Sequence, residues 1–321
     1  MSPPTAAQSW LDEAVTARAL GAATGTLWVT DPSGDRAIGL ALSGRAETVL
    51  VPTAAPADAA LLQLKLTAGP LAWEERLQVL GLLTGGRRVF LYHRLREQLP
   101  AEARAVWDAQ EALIRAGLLH GGVAETRIGL ARRALGRLRG EAQLTALADD
   151  PSPDGRSARA RQLDGPRLRL VLGALPLAGL GAPGLPGRLL QLAAQPGPNP
   201  FVEWTLTGRY ADPDAARPSL SRRAFDEAAQ LRARLRPSPA PLAEALTHAP
   251  PGSLGGIDLG RRTEAEVRAL LPGLRRAAAP GALALWWGPP LVGVPPAPEV
   301  TACRAADRSP FGGDAQLLLL R

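Results

Sequence analysis

The segment that most limits what this chain can fold into is residues 25–68. "GTLWVT" (25–30) has strand composition, "DPSGDRAIGLAL" (31–42) is a glycine-bearing turn running into a short helix, and "ETVLV" (47–51) is a second strand. Pro56 suits the first turn of a helix over 56–68, which Gly69-Pro70 stops. Strand, loop, helix, strand, helix is how a parallel nucleotide-binding sheet begins, because parallel strands need helical crossovers. The expectation is therefore an α/β fold with a Rossmann-type sheet, its first part occupying residues 1–70. Residues 7–20 read as an amphipathic helix preceding the first strand.

From 71 to 236 the pattern changes to helical periodicity, which predicts a large helical insertion. Within it, 150–166 ("DPSPDGRSARARQLDGP") reads as a flexible linker, 199–210 as a capped short helix and 221–235 as another helix. Strand–helix alternation returns over 237–321. Strands are expected at 252–259 and 281–287 around a helix at 263–278, and 299–306 with 315–321 read as a closing antiparallel hairpin. "LRPSPAPLAEAL" (235–246), broken by proline, stands where a third strand belongs.

The net charge is +7, and of 37 basic residues only Lys65 is a lysine. Such a balance favours anionic partners. On the helix over 123–140, Ile128, Ala131, Leu135 and Leu138 form an apolar stripe. Arg132, Arg133, Arg137 and Arg139 lie off it and suit an anionic membrane surface. No aromatic residues interleave these arginines, so nucleic acid is not an expected partner. One cysteine and three scattered histidines give no metal-ligand spacing. The N-terminus lacks a basic segment followed by an apolar one, which predicts a cytoplasmic location with peripheral membrane contact left open. The uncharged run 170–187 is long enough to approach a membrane span, but its prolines and glycines predict that it does not cross.

Several residues are candidates for chemistry. Gly34 allows close backbone approach in the first turn, where Asp31 and Asp35 could contact the amino group or hydroxyls of an adenosyl ligand. An acid normally ends the second strand and holds ribose hydroxyls. Here Pro52 and Thr53 stand there, with Asp58 one helical turn further on. Asp58 and Lys65 share a helix face, and Lys65 reads either as a snorkelling side chain or as a compact ammonium that arginine cannot replace. Trp204, Arg209 and Tyr210 cluster at the end of the 199–210 helix. No GxSxG, P-loop or HExxH pattern is present.

"LQLKL" around Lys65, "LPAEARAVWD", "NPFVEWTLTGRY" and "PPGSLGGIDL" occur in an order that resembles the S-adenosylmethionine:diacylglycerol 3-amino-3-carboxypropyltransferase family of betaine-lipid synthesis. The resemblance implies a class I methyltransferase-like sheet with a lipid-handling helical insertion. It also implies S-adenosylmethionine as the group donor and a diacylglycerol-like acceptor. By that likeness Asp31, Gly34, Asp35, Thr53, Asp58 and Asp258 would line the adenosylmethionine site. Arg209 and Tyr210 would position the acceptor, Tyr210 assisting proton removal. The family's "VDLNP" is "PTAAP" here, and its "NLSD" is "DLGR", so Thr53 and Arg261 stand where it carries acids. The alternative is a non-catalytic descendant that serves as a binding or scaffold module with a degraded adenosylmethionine site. The oligomeric state is not readable from the sequence.

Overall fold

The structure is a computed structural model that describes residues 2–43, 45–53, 55–150, 152–177, 184–195, 197–311 and 314–320. Six strands form one sheet: β1 (Thr26–Val29), β2 (Thr48–Pro52), β3 (Leu235–Ser238), β4 (Leu254–Arg261), β5 (Ala278–Trp287) and β6 (Ala315–Leu319). Their order is β3-β2-β1-β4-β5-β6. β1 to β5 run parallel and β6 pairs antiparallel with β5. The chain winds outward on one side of β1 and then returns to build the other side. The order therefore reverses between β1 and β4, which is where sheets of this Rossmann-like kind leave a crevice at the strands' carboxyl ends.

Helices cover both faces because both faces are apolar. Leu27 and Val29 of β1 point into one core, shared with α1 (Glu13–Leu20), α2 (Asp35–Leu42) and one side of α3 (Pro56–Thr67). Trp28 points into the other. Between α3 and β3 lies a run of helices. The first half comprises α4 (Trp73–Leu80), α5 (Arg88–Arg96), α6 (Ala101–Asp108), α7 (Glu111–Ala116), α8 (Val123–Arg139) and α9 (Glu141–Asp149). The second comprises α10 (Pro153–Leu163), α11 (Pro166–Leu177), α12 (Leu185–Ala193), α13 (Pro200–Thr207), α14 (Pro213–Ala216), α15 (Arg222–Asp226) and α16 (Ala228–Arg234). α17 (Leu242–His248) and α18 (Glu264–Ala277) cover the second sheet face, and α19 (Val300–Ala306) packs on the first. Leu62 and Leu66 of α3 join the sheet core while Leu61 and Leu64 join the insertion core. α3 is thus buried on both sides and ties the insertion to the sheet.

Several expectations are corrected. The 150–166 linker is helical over α10, started by the Ser152 cap and Pro153 at its first position. The missing third strand exists as β3. Pro237 is tolerated there because β3 is an edge strand, so the absent N–H withdraws nothing from the ladder. Within 299–306, Val300–Ala306 form α19 rather than a hairpin arm, and the antiparallel partner of β6 is β5. The 221–235 helix is divided into α15 and α16, and the expected β5 start at 281 moves to Ala278. Of the 170–187 run, residues 178–183 lie outside the described residues. Among the described residues no helix is long and apolar enough to cross a membrane. Arg132 does not belong to an outward basic face: it is half-buried and donates to the Trp204 carbonyl at 3.0 Å. Leu138, assigned to the inward stripe, is instead 41% exposed.

The largest departure is at the N-terminus. Residues 7–20 are not one helix, since α1 starts only at Glu13, capped by Asp12. The preceding residues form an extended strap whose backbone bonds go to distant carboxylates. Glu125 of α8 accepts from Ala7 N (2.8 Å), Gln8 N (3.2 Å) and Trp10 Nε1 (2.8 Å). Asp35 accepts from Ser9 N at 2.9 Å. These bonds replace the helical ladder that the periodicity suggested.

Burial raises the Glu125 carboxyl to about 7 even though three N–H donors favour its ionised form. Glu13 is likewise pushed up by burial, against the pull of Arg217. Because the folded pKa lies above the free value of 4.5, the folded state binds more protons between pH 4.5 and 7. Stability should therefore fall as pH rises through that window, by on the order of 3 kcal/mol from Glu125 alone. Urea midpoints should be higher at pH 5.5 than at pH 8, and Glu125→Gln should flatten that slope. An unchanged slope in the variant would contradict the assignment.

Candidate ligand cavity at the carboxyl ends of the strands

A cavity of about 540 Å³ opens over the ends of β1, β2 and β4. Thr30, Asp31, Thr53 and Gly260 lie at those ends, the N-terminal strap from Thr5 to Leu11 forms a second wall, and α8 contributes Val123 and Arg127. The volume falls within the range of small-molecule sites.

The turn after β1 is built around Asp31. Its Oδ1 accepts from Ser33 N (3.2 Å) and Ser33 Oγ (2.9 Å), and its Oδ2 from Arg36 N (2.7 Å). Gly34 follows with φ +76°, and a Cβ there would stand 2.6 Å from Leu62 Cδ1. Glycine is required both for the left-handed backbone and for the close approach of α3. Asp31 therefore reaches the cavity but also organises its own loop.

Asp35 faces inward, away from the cavity lining. Lys65 Nζ donates to Asp35 Oδ1 (2.5 Å), Ala7 O (2.8 Å) and Ser33 O (3.0 Å). All three ammonium protons are used. Lys65 is 5% exposed, so it does not snorkel; it joins strap, turn and α3 at one point. Beside it, Arg217 pairs with Glu13 (Nε to Oε1, 2.8 Å), donates to Ser9 O (2.7 Å) and Gln8 Oε1 (3.2 Å), and lies 3.8 Å from Asp35. Ser219 closes the group with two bonds to Glu13.

Asp258 is also fully buried. It accepts from Thr16 Oγ1 (2.6 Å) and Gly260 N (2.7 Å) and lies 3.3 Å from Arg36 Nε. Arg36 itself lines the cavity, donates to Thr30 O and stacks over Trp287 at 5.2 Å. Burial raises the Asp258 pKa while Arg36 lowers it, burial being the larger effect.

Thr53 donates its hydroxyl to Ser238 O at 3.1 Å, stitching the ends of β2 and β3. Asp58, at the start of α3, accepts from Thr5 N (2.7 Å) and Thr5 Oγ1 (3.0 Å), one bond per oxygen. A carboxylate has about four acceptor positions, so Asp58 retains capacity. Burial pushes its pKa up, with nearby Asp31 adding to the rise.

Of the residues expected to form a site, Asp31, Thr53 and Asp58 meet at the cavity. Gly34 shapes the turn behind it, and Asp35 and Asp258 are buried in ion pairs. Tyr210 is not among the lining residues. Its hydroxyl bonds to Gln8 Oε1 beneath the strap, and burial raises its pKa strongly. Arg209 is exposed and pairs with Asp149 at 2.6 Å. Gln8, Glu13, Arg217 and Glu125 were not foreseen. Glu13 reads as an ordinary first-turn acid, and nothing local to Arg217 marks it as buried. No protein-family model matches the chain, and neither a curated protein nor a solved structure matches it.

Lys65→Met should leave Asp35 Oδ1 and the Ala7 and Ser33 carbonyls without their ammonium donor, with only Ser9 N and the more distant Arg217 still facing the carboxylate. Loss of one partner of a buried pair costs about 3–5 kcal/mol. Urea unfolding should report a loss of that order, whereas a change under about 1 kcal/mol would show that Lys65 is dispensable.

Proposed function

We propose that this chain is a divergent S-adenosylmethionine-dependent transferase. It would move the 3-amino-3-carboxypropyl group to a hydroxyl-bearing, lipid-like acceptor, with the cavity over β1, β2 and β4 as its site. The observation that carries this reading is an open cavity at the reversal of strand order, with Asp31 and Asp58 on its wall. A scaffold that had abandoned its ligand has no reason to keep that space free of side chains. The strand order and the final antiparallel strand further support the methyltransferase-like class over other Rossmann-type sheets.

In this proposal Asp58 takes the place of the acid missing from the end of β2. The donor supplies a sulfonium leaving group. The acceptor oxygen forms a bond to the adjacent carbon as the carbon–sulfur bond breaks, and the thioether departs with that electron pair. The hydroxyl proton needs an acceptor. With Asp58 on the ribose, Asp31, the other carboxylate on the cavity wall, takes it as general base. Tyr210, sealed under Gln8, is the weaker candidate. Exposed Leu130 and Leu138 beside Arg133 and Arg137 on α8 support a lipid-facing side, on the helix that also reaches the cavity.

The second reading, a binding module without catalysis, is favoured by one observation. Asp35 and Asp258 are held in buried ion pairs and so serve the fold. Calorimetry with S-adenosylmethionine and with 5′-methylthioadenosine tests the proposal. Saturable heat that Asp58→Asn weakens at least tenfold is expected. Absence of heat at millimolar ligand would overturn the transferase reading.

A further inference from the structure

The charges around the cavity do not balance. Arg36, Arg261 and Arg262 line it against two carboxylates, Asp31 and Asp58. Both of those acids already accept hydrogen bonds from neighbouring N–H and O–H groups. Arg36 is matched by Asp258 beneath the floor. At the end of β4 the situation differs. Arg261 and Arg262 form no ion pair among the described residues, and the only side-chain bond of Arg262 runs to the Arg261 carbonyl. The nearest downstream acids are turned elsewhere: Glu266 caps Thr263, and Glu264 pairs with Arg268. Arg261 is thus presented at the cavity with no counter-charge among the described residues, and Arg262 beside it feels only Glu266, whose oxygen is already taken up in capping Thr263.

Gln8 lines the cavity and is fully buried. Donors from Tyr210 and Arg217 fix its Oε1, which leaves Nε2 as a buried N–H₂ with no acceptor among the described residues. That nitrogen has no accessible surface of its own, so it lies behind the cavity wall, and recognition of a ligand falls to the arginines and the apolar wall. The rest of the wall is apolar, with Trp10, Leu11, Leu242 and Phe311 facing the same space.

We infer that the acceptor taken by this cavity is an amphiphilic anion. Its oxyanion head, phosphate or carboxylate, is held by Arg261 and Arg262, and its apolar body lies along Trp10, Leu242 and Phe311. This rests on the cavity being the ligand site and departs from a neutral diacylglycerol. Guanidinium forks suit such heads because they offer parallel donors in the geometry of two oxygens. Apolar contact alone would not require the two arginines, and an inorganic ion alone would not require the apolar wall.

The test uses the full chain and the fluorescence of Trp10 and the other tryptophans. It compares dihexanoylphosphatidate, dihexanoylglycerol and inorganic phosphate as probes. Dihexanoylphosphatidate is expected to saturate, to weaken with added salt, and to bind at least tenfold more tightly than either other probe. The Arg261→Ala/Arg262→Ala double variant should lose at least tenfold in that affinity. Thermal melting of the variant guards against misfolding, since neither side chain holds another element in place. Equal binding of dihexanoylglycerol, equal binding of inorganic phosphate, or an unchanged affinity in a folded variant would each overturn the inference. Phosphatidate binding without any response to S-adenosylmethionine would sink the transferase reading and leave this one standing.

Discussion

One ammonium group holds the cavity end of this molecule together. Lys65 Nζ reaches the Asp35 carboxylate, the Ser33 carbonyl of the β1 turn and the Ala7 carbonyl of the strap. Those three bonds fix α3, α2 and the N-terminus relative to one another within a single buried spot. An arginine fork, planar and longer, does not fit three acceptors converging on one nitrogen. That is a physical reason for one lysine to persist in a chain whose other basic residues are all arginine. Arg217, Glu13 and Ser219 extend the same polar group, so each buried charge has a partner and the desolvation cost is offset.

The strap follows from this arrangement. Residues 5–11 bond chiefly through carboxylates on α2, α3 and α8, and they become one wall of the cavity. The strand ends supply the floor and α8 the third side. A cavity built this way combines a rigid base, set by the sheet, with a wall held by buried ionisable groups. What that wall leaves unmatched is Arg261 at the end of β4 and spare acceptor capacity on Asp58.

Much of the fold was legible in the sequence because it rests on local signals. The alternation over 25–68 and the Pro56 start predicted β1, α2, β2 and α3. The Asn199-Pro200 cap likewise marked α13. Features decided by distant partners were not legible. Residues 7–12 carry helical periodicity, but Glu125, more than 110 residues away, takes the N–H groups of Ala7 and Gln8, and Asp35 takes that of Ser9. β3 looked unfit because of Pro237, and only its edge position makes it acceptable. For the candidate site, Asp31 and Thr53 were found through their places at strand ends and Asp58 through its place on the first turn of the next helix. The burial of Asp35 and Asp258 was not, since a carboxylate turned toward ligand and one turned toward a buried cation look alike in one dimension.

The central claim is that the N-terminal strap belongs to the folded core and is locked there by Lys65, Asp35 and Glu125. Native-state amide hydrogen exchange of Ala7, Gln8 and Ser9 tests it most directly. Protection of these amides comparable to that of β1 and β4 is the predicted result. Exchange of the same amides within seconds, while β1 and β4 stay protected, would contradict it.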